Sequence, residues 1–280
     1  MAAVRIRIDL AYDGTDFHGW ATQPGLRTVQ GELQAALATA LRLPETWVTV
    51  AGRTDTGVHA RGQVIHLDVE DEVVIESAGR AKEPPLATLV RRLNGMLPAD
   101  LRIHRAIEAP AGFDARFSAI WRRYAYRVAD QPALVDPLRR HEVLPWQRPL
   151  DLSRMNAAAT DLLGLHDFGS FCKARDGATT IREVQQLVWE RDEAGVAVAR
   201  VIADAFCHGM VRSLVGCLLE IGDGRKEVAW AEQILAEARR TSSVHAAAAR
   251  GLTLEEVGYP PDEALAQRAE QTRGRRVLAE

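Results

Sequence analysis

The residue best suited to catalysis is Asp55, a carboxylate in the segment GRTDTGVHA at residues 52–60. Gly52 and Gly57 flank it, and glycines adopt backbone conformations closed to other residues and let a bulky substrate approach. Arg53 can keep the carboxylate ionised by proximity, which a nucleophile requires. The triplet DTG alone also fits a second interpretation, a turn in which the aspartate only accepts hydrogen bonds.

Two kinds of hydrolase use similar residues. Aspartic proteases need two such carboxylates that share a proton, and the sequence contains no second DTG or DSG. A metal hydrolase could use His59, His66 and Asp68, but these residues have no recognised ligand spacing. We therefore predict no metal site, and we keep an aspartic hydrolase only as an alternative.

The cysteine content and the apolar segments indicate the compartment. Cys172, Cys207 and Cys217 show no C-x-x-C spacing, which argues against a zinc site and against a disulfide framework, so we predict free thiols. Charged residues interrupt the apolar residues 1–10, unlike a signal peptide. No stretch approaches the ~20 apolar residues of a membrane helix. We expect a cytoplasmic protein.

The elements that must hold Asp55 can be predicted from hydrophobic periodicity. Thr28 is typical of a helix N-cap, and Val29, Leu33, Leu37 and Leu41 form an apolar stripe after it. In the first half we predict strands at 4–10, 48–51, 65–69 and 101–107, and helices at 29–41 and 86–97. The Asp55 loop then joins two strands. Residues 70–85 and 130–149 are predicted surface loops.

The second half repeats much of this order. We predict strands at 121–128, 184–189, 196–203 and 252–257, and helices at 152–163, 210–221 and 228–239. This pattern indicates an α+β fold of two ferredoxin-like split βαβ halves, related by a pseudo-twofold axis around a central active-site cleft. Residues 1–110 would carry the Asp55 loop, and residues 111–280 the remaining site elements.

The net charge of −3 gives no global reason to expect a nucleic-acid partner, so any RNA-binding surface must be local. The whole stretch GRTDTGVHARGQVIH, however, closely resembles the active-site motif of the tRNA pseudouridine synthase A family. The resemblance extends, in family order, to YDG (12–14), GW (19–20), TVQ (28–30), FDARFSA (113–119), RRYAY (122–126), DFGSF (167–171) and AFCHGMVR (205–212).

The resemblance implies a homodimeric enzyme that isomerises uridine to pseudouridine in the anticodon stem-loop of tRNA, at positions 38 to 40. The exchange of an N–C for a C–C glycosidic bond is redox-neutral, so it requires no cofactor. Asp55 matches the family's nucleophilic aspartate. Whether it attacks the nucleotide or removes a sugar proton stays open. A non-catalytic tRNA-binding module is the alternative, but it leaves Asp55 without a task.

Further site residues are assigned by the same match. Tyr124 corresponds to the family's tyrosine, which can stack on a flipped uracil. Arg212 corresponds to its arginine and joins Asp55 and Arg53 as a catalytic residue. Arg122, Arg123 and His59 complete the predicted substrate-binding set with Tyr124. The sequence departs from the family pattern at three positions near Arg212, namely Asp204, Gly209 and Ser213.

Overall fold

The computed structural model describes residues 3–173, 179–240 and 243–274, and it confirms the predicted α+β class. The strands are β1 Ala3–Tyr12, β2 Thr49–Val50, β3 His59–Glu70, β4 Leu101–Glu108, β5 Trp121–Ala129, β6 Leu144–Pro145, β7 Gly164–Asp167, β8 Ile181–Arg191, β9 Ala197–Ala203 and β10 Leu252–Gly258. The helices are α1 Val29–Leu41, α2 Asp71–Ala78, α3 Pro85–Met96, α4 Leu152–Thr160, α5 Met210–Gly222, α6 Trp230–Ala236 and α7 Leu265–Arg273.

The first of two compact units comprises Met1–Ile120 and Glu256–Arg273. Within it, β1 pairs antiparallel with both β3 and β4, and β2 pairs antiparallel with β3. Ile6, Ile8 and Leu10 of β1 are fully buried, so the alternation in this segment does mark a strand with one core face.

Helix α1 forms as its sequence predicts. The side chain of Thr28 accepts a hydrogen bond from the backbone N–H of Gly31 at 3.3 Å, which satisfies one of the free amides at the start of the helix. The apolar stripe of four residues is buried along its whole length. Arg42 ends the helix in the left-handed conformation, with φ of 57°, two residues before Pro44.

The prediction of a surface loop at residues 70–85 is wrong for its first part, which forms α2. Only Val74 and Ser77 of this short helix are buried, so it shows no extended apolar stripe. Asp71 and Glu72 occupy its first turn, where negative charge favours a helix N-terminus. The charges that suggested a loop therefore stabilise the start of a helix.

The second unit comprises Trp121–Glu255 and Gly274–Glu280, of which residues 275–280 lie outside the described part. Strand β9 pairs antiparallel with β5 on one side and β8 on the other, and β8 pairs antiparallel with β7. The short β6 runs parallel to β5. Strand β10 contains the division between the two units. The halves 1–110 and 111–280 stay a prediction, because compact units do not identify repeats.

Two predicted helices in the second unit have wrong boundaries. Helix α4 ends at Thr160 rather than near Leu163, and Gly164 begins β7, a strand that periodicity did not reveal. Asp151 caps α4 by accepting from the amides of Ser153 and Arg154. Helix α6 is shorter than predicted at both ends. Within the described residues, no helix has the length and apolar character that crossing a membrane requires.

Candidate active site

Asp55 lies in the loop that joins β2 to β3, as predicted. Its carbonyl oxygen accepts a hydrogen bond from the amide of Val58 at 3.1 Å, which closes a four-residue turn. Gly57 occupies the third position of this turn with φ of 77°, where glycine is favoured. Asp55 itself is half-buried, while Arg53 and Thr56 on either side are exposed.

The prediction that Gly52 adopts a backbone conformation closed to other residues is wrong. Gly52 does not adopt a positive φ, so its conformation is open to other residues. A Cβ atom at this position would meet no heavy atom within 4 Å. The free space beside Gly52 is therefore the property that distinguishes it, whereas Gly57 supplies the conformation.

The segment between β1 and α1 holds the Asp55 loop by its backbone. The amide of Trp20 donates to the carbonyl of Thr54 at 3.0 Å, and the amide of Gly57 donates to the carbonyl of Phe17 at 3.3 Å. Gly19, with φ of 86°, lies so close that a Cβ would be 3.0 Å from the carbonyl oxygen of Thr54. A Cβ on Gly14 would collide with the carbonyl of Val58. Two loops packed backbone to backbone thus require these two glycines.

His59, a predicted substrate-binding residue, is the first residue of β3 and is buried. Its Nδ1 accepts a hydrogen bond from the amide of Gly14 at 3.0 Å. A carboxylate oxygen of Asp13 lies 3.0 Å from the same nitrogen, which cannot make both contacts as full hydrogen bonds. Asp13 Oδ1 also accepts from the amide and hydroxyl of Thr15, so we assign Nδ1 to Gly14. Substrate binding by His59 stays a prediction.

The residues considered for a metal hydrolase have other partners. His66 Nδ1 accepts from the amide of Ala115 at 3.0 Å, and Asp68 pairs with Arg5 at 2.7 Å. Burial lowers the pKa of His66, and the charge of Arg5 lowers it further, against the opposing effects of Asp114 and Asp68. Across the described ranges, no group of three or more His, Cys, Asp or Glu side chains is arranged to hold a metal ion.

Tyr124 lies on β5 in the second unit, where it is opposite Val201 of β9. Its ring meets the ring of Phe206 edge to face, with centroids 5.1 Å apart and an interplanar angle of 87°. Only 7% of Tyr124 is exposed. The contact with Phe206 fixes the orientation of the phenol, which a stacking platform would need.

The two arginines before Tyr124 differ in exposure. Arg122 is 7% exposed, and its guanidinium donates to the carbonyl of Asp204 at 2.6 Å. Arg123 points to the other side of the strand and is half-buried. Arg123 is therefore the better candidate for a phosphate contact, and both assignments stay predictions.

Arg212 lies in the first turn of α5. Its Nε donates to the carbonyl of Ala247 at 2.7 Å, and the amide of Ala247 donates back to the carbonyl of Arg212 at 2.8 Å. These two hydrogen bonds hold the Arg212 side chain at its Nε atom. Gly209, one of the departures from the family pattern, precedes α5 with φ of 77°, a conformation that glycine adopts without strain.

Of the other two departures, the structure explains Asp204, and nothing in it explains Ser213. The carboxylate of Asp204 accepts from the amides of Glu183 at 3.1 Å and of Ala205 at 2.6 Å, so it ties β8 to the end of β9. Ser213 is buried, and its amide donates to the carbonyl of Gly209 at 3.0 Å.

The prediction of free thiols is wrong for one pair of cysteines. Cys172 and Cys207 form a disulfide, with Cα atoms 5.7 Å apart and a separation of 35 positions in sequence. Spacing along the chain did not reveal this pair because the fold, not the local sequence, brings the two loops together. Cys217 is a free thiol, buried in α5, and burial raises its pKa to about 12.

Comparison with known proteins identifies the family. Residues 158–260 match the family model described as tRNA pseudouridine synthase. A tRNA pseudouridine synthase A of Streptomyces griseus is 56% identical over 277 residues, which cover 98% of this chain and 95% of that protein. The same enzyme of Leifsonia xyli is 55% identical over 99% of both chains. That of Mycobacterium leprae is 50% identical over 96% of this chain and 94% of its own. The motifs quoted from the sequence and this near-complete similarity show that the chain belongs to the tRNA pseudouridine synthase A family.

Proposed function

We propose that this protein isomerises uridine to pseudouridine in the anticodon stem-loop of tRNA, at positions 38 to 40, with Asp55 as the catalytic carboxylate. The observation that carries the proposal is the backbone clamp on the Asp55 loop, at Thr54 and at Gly57. A carboxylate that must meet one atom of a sugar or base needs a fixed approach, and backbone hydrogen bonds on both sides supply it.

The reaction breaks the bond between N1 of uracil and C1′ of ribose and forms a bond between C5 and C1′. Asp55 begins it either by attacking the nucleotide or by removing a sugar proton, and both routes use the ionised carboxylate. The uracil then turns within the site, and C5 bonds to C1′ while any bond formed to Asp55 breaks. The C5 proton leaves and N1 gains a proton. Electrons and atoms balance without an oxidant, so the chemistry requires no cofactor.

Tyr124 would receive the flipped base. A uridine inside a stem must leave the stack before a carboxylate reaches its sugar, at a cost of a few kcal/mol. Stacking on an aromatic ring returns about 1–3 kcal/mol per base. The edge contact with Phe206 supports this role, because it holds the ring of Tyr124 in one orientation.

The predicted arginines would serve the anionic substrate. Arg212 and Arg53 act on the reacting nucleotide, while Arg123 and Arg122 contact phosphates and His59 completes the substrate-binding set. The reciprocal hydrogen bonds between Arg212 and Ala247 support a fixed position for the Arg212 guanidinium. The exposure of Arg53 beside the half-buried Asp55 supports access to an incoming RNA.

Tritium release from tRNA labelled at C5 of uridine tests the proposal directly. The parent protein should release tritium, Asp55→Asn should release none, and Asp55→Asn should still bind tRNA. Asp71→Asn, at an exposed position in α2, is the control and should behave as the parent. Measurable turnover by Asp55→Asn would refute the assignment of the carboxylate. Binding without release by the parent would support the non-catalytic alternative.

The assembly and the compartment are also part of the proposal. We expect a cytoplasmic protein, and the resemblance to the family is the basis for expecting a homodimer. Sedimentation of the active protein measures its mass. A fully active monomer would contradict the dimer.

A further inference from the structure

Three buried side chains, one in the Asp55 loop and two in the adjoining strands, are linked by hydrogen bonds. Tyr12 at the end of β1 is 4% exposed, Thr54 in the loop 7%, and Gln63 in β3 0%. The hydroxyls of Tyr12 and Thr54 are 2.7 Å apart. The amide nitrogen of Gln63 donates to the Tyr12 hydroxyl at 3.2 Å and to the carbonyl of Gly52 at 2.9 Å. The cluster therefore holds the loop on both sides of Arg53.

The direction of the hydrogen bonds from Gln63 follows from what each group can donate. The Gly52 carbonyl can only accept, so the nitrogen of Gln63 must face it. That nitrogen also donates to the Tyr12 oxygen. Between Tyr12 and Thr54 either hydroxyl can donate to the other, and in both directions the bond ties Tyr12 to the Asp55 loop.

The ring of Tyr12 adds a second connection to the loop. It packs against the rings of Phe17 and Trp20, with centroids 6.4 and 6.2 Å away. These two residues make the backbone hydrogen bonds to Thr54 and Gly57 described above. Tyr12 thus contacts both the side chain of Thr54 and the segment that clamps the backbone around Asp55.

We propose that Tyr12 is a positioning residue, whose hydroxyl holds Thr54 and thereby keeps Asp55 in its reacting position. This inference rests on the proposed function of Asp55. Burial raises the pKa of Tyr12 to about 12, although the hydrogen bonds that Tyr12 makes with Thr54 and Gln63 oppose the shift. The phenol therefore keeps its proton throughout the neutral range, which agrees with a role in position rather than in proton transfer.

Tyr12→Phe removes the hydroxyl and keeps the ring packing. We expect its turnover on tRNA to fall about 10- to 100-fold, because small displacements of a reacting group cost up to about 100-fold. The dissociation constant for tRNA should not change. Tyr259→Phe is the control, since it loses a half-buried tyrosine hydroxyl that donates to the carbonyl of Ala115 at 2.7 Å rather than to the Asp55 loop. Equal losses in the two variants would overturn the proposal.

Variants of Thr54 separate position from general stability. Thr54→Val has nearly the same shape but no hydroxyl, and it should lower turnover as Tyr12→Phe does. Thr54→Ser keeps the hydroxyl and should restore turnover relative to Thr54→Val. The double variant Tyr12→Phe with Thr54→Val should lose no more than the worse single variant, because both remove the same hydrogen bond. Additive losses would refute the link between the two side chains.

Hydrogen exchange of the backbone amides keeps this test apart from the proposed function. Tyr12→Phe should speed the exchange of the amides at residues 53–57, and Tyr259→Phe should not. An inactive parent protein would refute the proposed function, and the exchange rates would still decide whether Tyr12 holds the loop. Unchanged exchange in Tyr12→Phe would overturn the inference whatever the activity.

Discussion

The ring and the hydroxyl of Tyr124 can be tested separately. Tyr124→Phe keeps a ring that packs on Phe206, so we expect unchanged affinity for tRNA. Loss of the hydroxyl should slow formation of pseudouridine, by about 10²- to 10⁴-fold if it takes the C5 proton as a general base. Single-turnover kinetics measure this rate, and a carbon-linked intermediate should accumulate on the enzyme. A wild-type rate would limit Tyr124 to stacking.

Tyr124→Ala removes the ring as well. Affinity for tRNA should fall by about 1–3 kcal/mol, the usual contribution of one stacked base, and the rate should fall with it. Tyr126→Phe is a control on the same strand, since its hydroxyl donates to the carbonyl of Ala248 at 2.8 Å and its ring is buried. Wild-type rate and affinity in Tyr124→Ala would show that the residue only packs.

His66 makes the stability of the fold depend on pH. Its pKa is lowered in the folded protein, chiefly by burial, so the unfolded chain binds a proton more readily. Stability contributed by the neutral imidazole is therefore present above the ordinary histidine pKa of about 6.5 and is lost as pH falls below it. Urea unfolding between about pH 7.5 and 5.5 should show this loss. His66→Asn, which can still accept from Ala115, should reduce the slope. An unchanged slope would exclude His66 as the cause.

At the scale of elements, the turn that carries Asp55 should tolerate a methyl group at one glycine and not at the other. Gly57→Ala places a side chain at φ of 77° and should destabilise the protein by about 1–2 kcal/mol. Gly52→Ala meets no atom within 4 Å at an ordinary φ and should leave stability unchanged. Urea midpoints measure both variants. Equal midpoints would show that the turn relaxes around the new side chain.

Long elements with a regular apolar stripe could be predicted from the sequence, whereas α2 and β7 could not. The buried residues of α1 recur over three turns, whereas α2 buries one short stretch and β7 has only four residues. Helical periodicity is recognised over about 11–18 residues and strand alternation over about 4–8, so elements at or below these lengths carry little periodic signal. The N-cap at Asp151 could have been predicted from the sequence, because Asp is a preferred N-cap residue.

The candidate site was predictable only where its residues are neighbours in the sequence. The turn at Asp55 follows from the local motif, but the bond between Tyr12 and Gln63 joins residues 51 positions apart. The approach of Gly14 and Gly19 to the Asp55 loop is likewise a product of the fold. These residues belong to the motifs shared with the family, but the sequence does not explain why they are shared. The structure does, because they contact the Asp55 loop.

At the scale of the whole molecule, binding to tRNA should depend on salt despite the net charge of −3. Phosphate contacts release counterions. The logarithm of the binding constant therefore falls linearly with the logarithm of the salt concentration, with a slope of about −0.7 to −0.9 per phosphate contacted. Arg123→Gln should make the measured slope shallower by about one such contact. Arg80→Gln, at an exposed position in the first unit, is the control and should leave the slope unchanged. A parent slope in Arg123→Gln would show that its charge contacts no phosphate.

The unit that holds Asp55 is built from two separate segments of the chain, since Glu256–Arg273 belongs to it. Ser118 donates to the carbonyl of Leu265 at 3.1 Å, and Gly112 lies against Ala266. A ribosome makes about 5–20 residues per second, so roughly 7 to 27 seconds separate the synthesis of residue 120 from that of residue 256. Throughout that interval the nascent chain carries its catalytic loop in an unfinished unit. An mRNA truncated after the codon for residue 255 would encode every residue of the predicted site and still leave this unit without its last helix.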